Sequence, residues 1–207
     1  MRRKKINNRL VIGVTGIFGS GKSTVSHILK SLGSKVIEAD KVARKYLAPG
    51  ASTYKRIVDY FGRGILKANK EIDRRKLAGV VFKDHRLLKK LNSIAHPKIG
   101  AEIKRRIGKL KSGVIVLDAP LLIEAGLRSL VDNLIVVIIE QDELIRRLAK
   151  KRALKKKEIM ERVKSQISLR KKVRMADFII DNNGTISQTR KQVNIVMDKL
   201  RRKLWRS

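Results

Sequence analysis

Apolar and polar positions fall into two patterns along this chain. Five short stretches carry a continuous apolar centre: Leu10-Val11-Ile12-Gly13-Val14, Lys35-Val36-Ile37-Glu38-Ala39-Asp40, Val114-Ile115-Val116-Leu117-Asp118, Leu134-Ile135-Val136-Val137-Ile138-Ile139 and Phe178-Ile179-Ile180-Asp181. Continuous rather than alternating runs mark strands buried on both faces, as in parallel sheets. The segments between them repeat apolar residues at helical spacing, as Val25, Ile28 and Leu29 do. Strand and helix in alternation predict an α/β fold. We expect a doubly wound five-stranded parallel sheet with helices on both faces.

The connections are unequal. Gly33 is placed to cap the first helix. Between the second and third strands lie residues 41–113, far more than one crossover helix requires. Pro49-Gly50 interrupts the chain there, and helices are expected over 53–61, 74–82 and 86–107. Pro97 should kink or restart the last of these. A second helical stretch is expected over 142–174. Its middle, Lys150-Lys151-Arg152-Ala153-Leu154-Lys155-Lys156-Lys157, is nearly all cationic. Such a run is either a solvated helical face or a mobile lid that closes cations over phosphates. A closing helix over 185–203 is expected, then a loose tail, Leu204-Trp205-Arg206-Ser207.

Residues 16 to 23 change the picture. Gly-Ile-Phe-Gly-Ser-Gly-Lys-Ser fits the phosphate-binding loop G-x-x-x-x-G-K-[ST] with no mismatch. An apolar strand precedes it and a helix follows, which is the context that gives the motif its meaning. Glycines let backbone N–H groups turn inward around a phosphate, and the helix N-terminus adds the positive end of its dipole. Gly16, Gly19, Ser20, Gly21, Lys22, Ser23 and Thr24 are the expected ATP-binding residues. Lys22 would reach the β- and γ-phosphates, and the Ser23 hydroxyl would hold Mg²⁺.

The remaining composition narrows the partners. The 207 residues, 43% of them hydrophobic, suffice for one domain with a real core. We expect a nucleotide-binding core at 9–48, 112–141 and 175–203, a helical substrate-binding insertion at 49–111, and a lid at 142–174. There is no cysteine, so disulfides and thiolate metal sites are excluded. The three histidines, His27, His85 and His96, are too scattered to suggest a metal cluster. No apolar run approaches the roughly 20 residues of a membrane span, and the basic N-terminus lacks a signal peptide's apolar region. A cytoplasmic, monomeric protein with no membrane partner is the default expectation. The net charge is +33, from 51 Lys+Arg against 18 Asp+Glu. A field of that sign attracts polyanions. The cations are spread along the whole chain, and aromatics are only 4%. Stacking platforms for single strands are therefore scarce. This favours an enzyme for phosphorylated small molecules over a nucleic-acid-binding protein, with weak non-specific RNA binding compatible with the charge.

A phosphoryl-transfer enzyme needs positioning, charge neutralisation and a base near the attacking hydroxyl. In doubly wound sheets ligands bind at the carboxyl ends of strands. Asp40, Asp118 and Glu124 lie at or beyond such ends. Asp40 is either a catalytic base or an N-cap for a helix beginning at Lys41. Asp118 is either a water-mediated Mg²⁺ holder or a turn residue before Pro120. Glu124 is ambiguous between a site residue and an exposed helical one. Arg44 sits one turn beyond Asp40 and could take a phosphate in bidentate fashion. His96, lacking a nucleophile partner, reads first as structural.

Further segments make the chain resemble the dephospho-CoA kinases. Ile37-Glu38-Ala39-Asp40-Lys41-Val42-Ala43-Arg44 is similar to that family's D-A-D-x-x-A-R segment, with Pro49-Gly50 at the family's spacing. Phe61-Gly62, Ile72-Asp73-Arg74-Arg75-Lys76-Leu77 and Val81-Phe82 resemble its F-G, I-D-R-x-x-L and V-F elements. Leu91-Asn92-Ser93-Ile94-Ala95-His96-Pro97-Lys98-Ile99 resembles its L-x-x-I-x-H-P-x-I helix. Asp118-Ala119-Pro120-Leu121-Leu122-Ile123-Glu124 matches D-x-P-L-L-x-E. Arg162-Val163-Lys164-Ser165-Gln166 and Ala176-Asp177-Phe178-Ile179-Ile180-Asp181-Asn182-Asn183-Gly184 match its closing motifs. The resemblance implies transfer of the γ-phosphate of ATP to the 3′-hydroxyl of dephospho-CoA. It implies Asp40 and Lys22 as catalytic residues. Asp40, Arg44, His96, Pro120, Leu121, Leu122 and Glu124 would lie on the substrate side, and Arg147 and Arg162 on the nucleotide side. Two departures stand out. Glu38 replaces the first Asp of D-A-D, and Lys151 occupies the place of a lid arginine, with Arg152 adjacent. Lysine keeps the charge but loses the two-pronged geometry. The rival readings are a kinase for another small metabolite, an NTPase stimulated by nucleic acid, and a binding protein that has lost turnover.

Overall fold

The computed structural model describes residues 9–81, 84–152 and 154–206, except for the side chains of 151, 152 and 203–206. Five strands form one sheet in the order β2-β3-β1-β4-β5. They are β1 Arg9–Gly16, β2 Lys35–Glu38, β3 Gly113–Asp118, β4 Asn133–Ile138 and β5 Phe178–Asp181. β1 pairs in parallel with both β3 and β4, and β4 pairs in parallel with β5. The connection leaving β1 runs toward β2, and the one leaving its neighbour β3 runs the opposite way to β4. That reversal opens a crevice at the carboxyl end of β1.

Burial explains why the strands read as unbroken apolar runs. Ile12 and Val14 of β1 share one face with Val116, Val137 and Ile180. This face packs on Val25 and Leu29 of α1, Lys22–Ser31, and on Val193, Met197 and Leu200 of α9, Ile186–Arg206. On the opposite face Ile115, Leu117, Leu134 and Val136 are also buried. α1 ends as expected at Gly33, whose φ of 91° suits a residue without Cβ. The amides of Gly33 and Ser34 reach back to the carbonyls of Lys30 and Leu29 at 3.0 and 3.1 Å, closing a Schellman motif.

By packing, the described residues up to Ile37 and from Ile107 onward form one unit, and Glu38–Arg106 form a second. The second is helical: α2 Ala39–Tyr46, α3 Ser52–Phe61, α4 Arg74–Val81 and most of α5 His85–Lys109. Ile57, Ile65, Leu77 and Ile94 make its core. Asp73 starts α4 by accepting the amides of Arg75 and Lys76, and Asp84 starts α5 by accepting that of Arg86. Three expectations are corrected. Of the two alternatives at Pro97, a kink or a restart, the restart does not occur, since α5 runs through the proline. One missing amide costs a single bond, and the buried Ile94 and Ile103 anchor the helix on either side of it. Asp40 does not end β2. It lies in the first turn of α2, because Ala39 and Val42 are buried at helical spacing. The segment after Lys203 is no loose tail, since α9 continues to Arg206. Phe82, the basic residues before Arg9, and Ser207 lie outside the described residues.

After β4 the helical stretch is three helices, α6 Gln141–Arg152, α7 Lys156–Lys164 and α8 Leu169–Arg174. They enclose a small core of Ile139, Leu144, Leu148 and Ile159, which also takes in Ile17. Lys150, Lys155, Lys156 and Lys157 are exposed. At the free edge of β5, the Gln192 side chain of α9 accepts the Asp181 amide at 2.9 Å and donates to its carbonyl at 2.8 Å. Among the described residues, no helix is long and apolar enough to cross a membrane.

Candidate active site

The phosphate-binding loop leaves the carboxyl end of β1 and enters α1 directly. The Gly21 carbonyl accepts from Thr24 N–H at 2.9 Å, so the helix begins at the loop's last glycine. Gly21 has φ 90°, and a Cβ there would lie 1.9 Å from Asn182 Nδ2. Both facts demand glycine. Asn182 follows β5, is buried, and donates to the Ser20 carbonyl at 2.9 Å. Its Oδ1 accepts from the buried Thr189 hydroxyl at 2.9 Å. The loop is therefore braced from behind by a satisfied polar pair. Lys22 is also buried, with Nζ on the carbonyls of Gly16 at 3.2 Å and Ile17 at 2.8 Å. Gly16 and Gly19 complete the turn, Ser20 is buried, Thr24 is half-buried, and Ser23 is exposed in the first turn of α1.

The helices after β4 close one side of this loop. Gln166 Oε1 accepts the Phe18 amide at 2.7 Å, and the Arg162 guanidinium lies 5.0 Å over the Phe18 ring. Arg162 thus lies beside the loop. Arg147 is held differently. It donates to the carbonyls of Asn182, Asn183 and Gly184 at 2.7, 2.7 and 3.0 Å, and to Glu143. Its donors clamp the turn that carries Asn182. The Glu143 carboxyl, bonded first by Arg146 and then by Arg147, is held down at about 2. The side chains of Lys151 and Arg152, the two candidates for the lid cation, lie outside the described residues.

On the other side, β3 delivers Asp118 opposite Val14 of β1. Ala119 N–H returns to the Val14 carbonyl at 3.1 Å. The Pro120 carbonyl accepts from the Thr15 hydroxyl at 3.1 Å and from Lys172 Nζ at 3.1 Å. Leu121 is exposed, whereas Leu122 is fully buried and packs where a Gly13 side chain would otherwise stand. Leu122 therefore supports the segment from below. Glu124 is no exposed helical residue. Its Oε1 meets Lys172 Nζ at 2.8 Å and accepts the Ile167 amide at 3.1 Å.

Asp40, Arg44 and His96 belong to the helical unit. The N-cap of α2 is Glu38 and Asp40 lies within its first turn, so the N-cap reading does not hold. Asp40 and Arg44 are both exposed, one turn apart on α2. His96 is half-buried in α5, and burial pushes its imidazole below the usual histidine range, toward the neutral form. Among the described residues no group of three or more His, Cys, Asp or Glu could hold a metal ion.

Gln166 and Asn182 were visible in the sequence only as parts of motifs, with no role attached, and Lys172 was not singled out at all. Spacing held a faint signal: Lys172 lies three residues after Leu169, which packs on the small core, so it falls on the inward face of α8.

A family model described as dephospho-CoA kinase matches residues 10–188. A dephospho-CoA kinase from Carboxydothermus hydrogenoformans is 43% identical over 198 residues, covering 94% of this chain and 96% of that one. Among solved structures, the dephospho-CoA kinase from Campylobacter jejuni shares 31% identity at a TM-score of 0.65, covering 93% of this chain and 97% of its own. TT1252 from Thermus thermophilus shares 27% identity at a TM-score of 0.79, with 93% and 98% covered. With its phosphate-binding loop at the carboxyl end of the central strand, and with a family match over nearly its whole length, the chain belongs to the dephospho-CoA kinase family.

Proposed function

We propose that this protein transfers the γ-phosphoryl group of ATP to the 3′-hydroxyl of dephospho-CoA, giving CoA and ADP, the final step of coenzyme A synthesis. The observation that carries the reading is the braced loop from Gly16 to Thr24, with Lys22 folded onto its carbonyls, in a chain of this family. ATP's phosphates lie on the loop amides and the N-terminus of α1, where they compete with the Gly16 and Ile17 carbonyls for Lys22. Asp40 takes the proton of the 3′-hydroxyl as its oxygen attacks phosphorus. The bond from the γ-phosphorus to the bridging oxygen breaks, and ADP leaves with that electron pair. Arg44 steadies substrate phosphate, and His96 with the segment from Pro120 to Glu124 forms the acceptor side. Arg162 adds positive charge beside the loop, while Arg147 holds the turn behind it.

The exposed Ser23 hydroxyl and the Asp118 carboxylate are hard oxygen donors of the kind Mg²⁺ takes, supplemented by substrate phosphates. Ser23 directly and Asp118 through water would hold the ion, whose charge offsets that of the phosphates. We assign residues 142–174 as the lid and 49–111 as the substrate-binding insertion. The enzyme is taken to work as a cytoplasmic monomer with no obligate nucleic-acid partner.

An ADP-release assay with ATP and Mg²⁺ tests the reading against its rivals. ADP formed with dephospho-CoA, with CoA as product, supports it. Turnover only with nucleoside monophosphates, or only when RNA is added, would replace it.

A further inference from the structure

We propose that Lys172 is a positioning residue for the acceptor side, acting through Pro120 and Glu124 without touching substrate; the inference rests on the reading just given. Lys172 is fully buried, an unusual place for a lysine. Its ammonium meets Glu124 Oε1 at 2.8 Å and the Pro120 carbonyl at 3.1 Å. Each of these acceptors has a second donor. Glu124 Oε1 takes the Ile167 amide at 3.1 Å, in the connection between α7 and α8. The Pro120 carbonyl takes the Thr15 hydroxyl at 3.1 Å, one residue before the phosphate loop begins. A single cation therefore fastens three segments: the loop after β3, the α7–α8 connection, and the end of β1.

A buried ion pair adds little net stability over apolar residues of the same volume, so stability alone is a poor reason for this one. What it supplies is geometry. With the Pro120 carbonyl tied down and Leu122 sunk into the core, Leu121 between them is left exposed at 44%. Glu124 is held to this anchor through its Oε1, which fixes the far end of the segment that begins at Pro120. Its other oxygen, Oε2, is buried and has no hydrogen-bond partner among the described residues, so the carboxylate depends on Lys172 for its charge balance.

The test uses the full chain with Lys172→Met, Lys172→Arg and the double variant Lys172→Met/Glu124→Gln, which removes both charges. KM for dephospho-CoA, KM for ATP, the melting temperature and hydrogen exchange at the Ile167 amide are compared. Lys172→Met should raise the KM for dephospho-CoA by about tenfold or more, as loss of alignment does, with the KM for ATP within about twofold of wild type. Lys172→Arg should recover part of the loss. The double variant should regain melting temperature while its KM for dephospho-CoA stays high and the Ile167 amide exchanges faster. If acceptor KM returned to normal along with the melting temperature, or both KM values rose together, Lys172 would be a packing residue only and the proposal would fail. Should Lys172→Met not fold, the double and Lys172→Arg variants give the same comparison. A wild-type enzyme inert toward dephospho-CoA would remove the underlying reading, and this inference with it.

Discussion

Asp40→Asn keeps the size of the side chain and removes its basicity, so it isolates the proposed proton transfer. Turnover should drop about 10²-fold or more with little change in the KM for ATP, read from steady-state kinetics. Full activity would show that another group takes the proton. Gly21→Ala probes the opposite kind of residue, one chosen for the absence of a side chain. A Cβ 1.9 Å from Asn182 Nδ2 must displace the amide that holds the Ser20 carbonyl. Strain at the positive φ adds about 1–3 kcal/mol. The expected outcome is a lower melting temperature together with weakened ATP binding by calorimetry. These two residues also show what the sequence could disclose. Lys22, Ser23 and the loop glycines were legible because their chemistry is contiguous. The brace behind them was not, since Asn182 lies 162 positions from Ser20 and only the sheet order makes them neighbours. Lys172 was hidden for another reason: in a stretch crowded with cations, nothing local marks the one that turns inward.

At the scale of elements, β1, β3 and β4 could be read because burial on both faces leaves few polar positions to blur them, whereas β2 and β5, with one buried residue each, were marked only by short apolar runs. Helix ends were harder. Pro97 left a restart open because local rules count the missing hydrogen bond and not the packing on either side of it. The stretch after β4 read as helical without internal bounds, because its cations mask the two short connections between α6, α7 and α8. That small helical layer matters to the loop. Leu144 is almost wholly buried, and its Cδ1 lies only 2.6 Å from where a Gly19 side chain would stand. Leu144→Ala should destabilise the protein by about 2–5 kcal/mol and raise the KM for ATP, because the loop loses its backing. A stability loss with unchanged KM would confine its role to packing. In the helical unit, Arg105 and then Arg106 bond the Glu102 carboxyl and pull it from 4.5 to about 2. Glu143 on α6 shows the same shift. Carboxylates with lowered folded values stabilise above their unfolded value and lose that contribution as pH falls. The melting temperature should therefore hold down to about pH 4.5 and then decline toward pH 2. Glu102→Gln should flatten that decline in a pH series of thermal melts.

The whole molecule carries +33 and acts, on our reading, on two polyphosphates. Attraction at a distance should speed substrate capture and weaken with salt. Raising ionic strength from about 0.05 M to about 0.3 M should lower kcat/KM for both substrates, as screening shortens the reach of the field. A salt-independent kcat/KM would mean that capture owes nothing to the surface charge. The same reach explains why composition alone did not separate a nucleic-acid partner from a phosphorylated small molecule. Net charge reports attraction to any polyanion, whereas loop, strand and helix in order specify one chemistry. The Gln192 amide at β5 has a bearing on how copies of the molecule coexist. A bare strand edge offers its amides and carbonyls to any passing chain. Here a side chain from the same molecule already occupies one such pair, as a stopper fills the mouth of a flask. Gln192→Ala would leave catalysis alone and reopen that pair. Its effect should therefore appear in storage rather than in turnover, as faster growth of light scattering in concentrated solution at high salt.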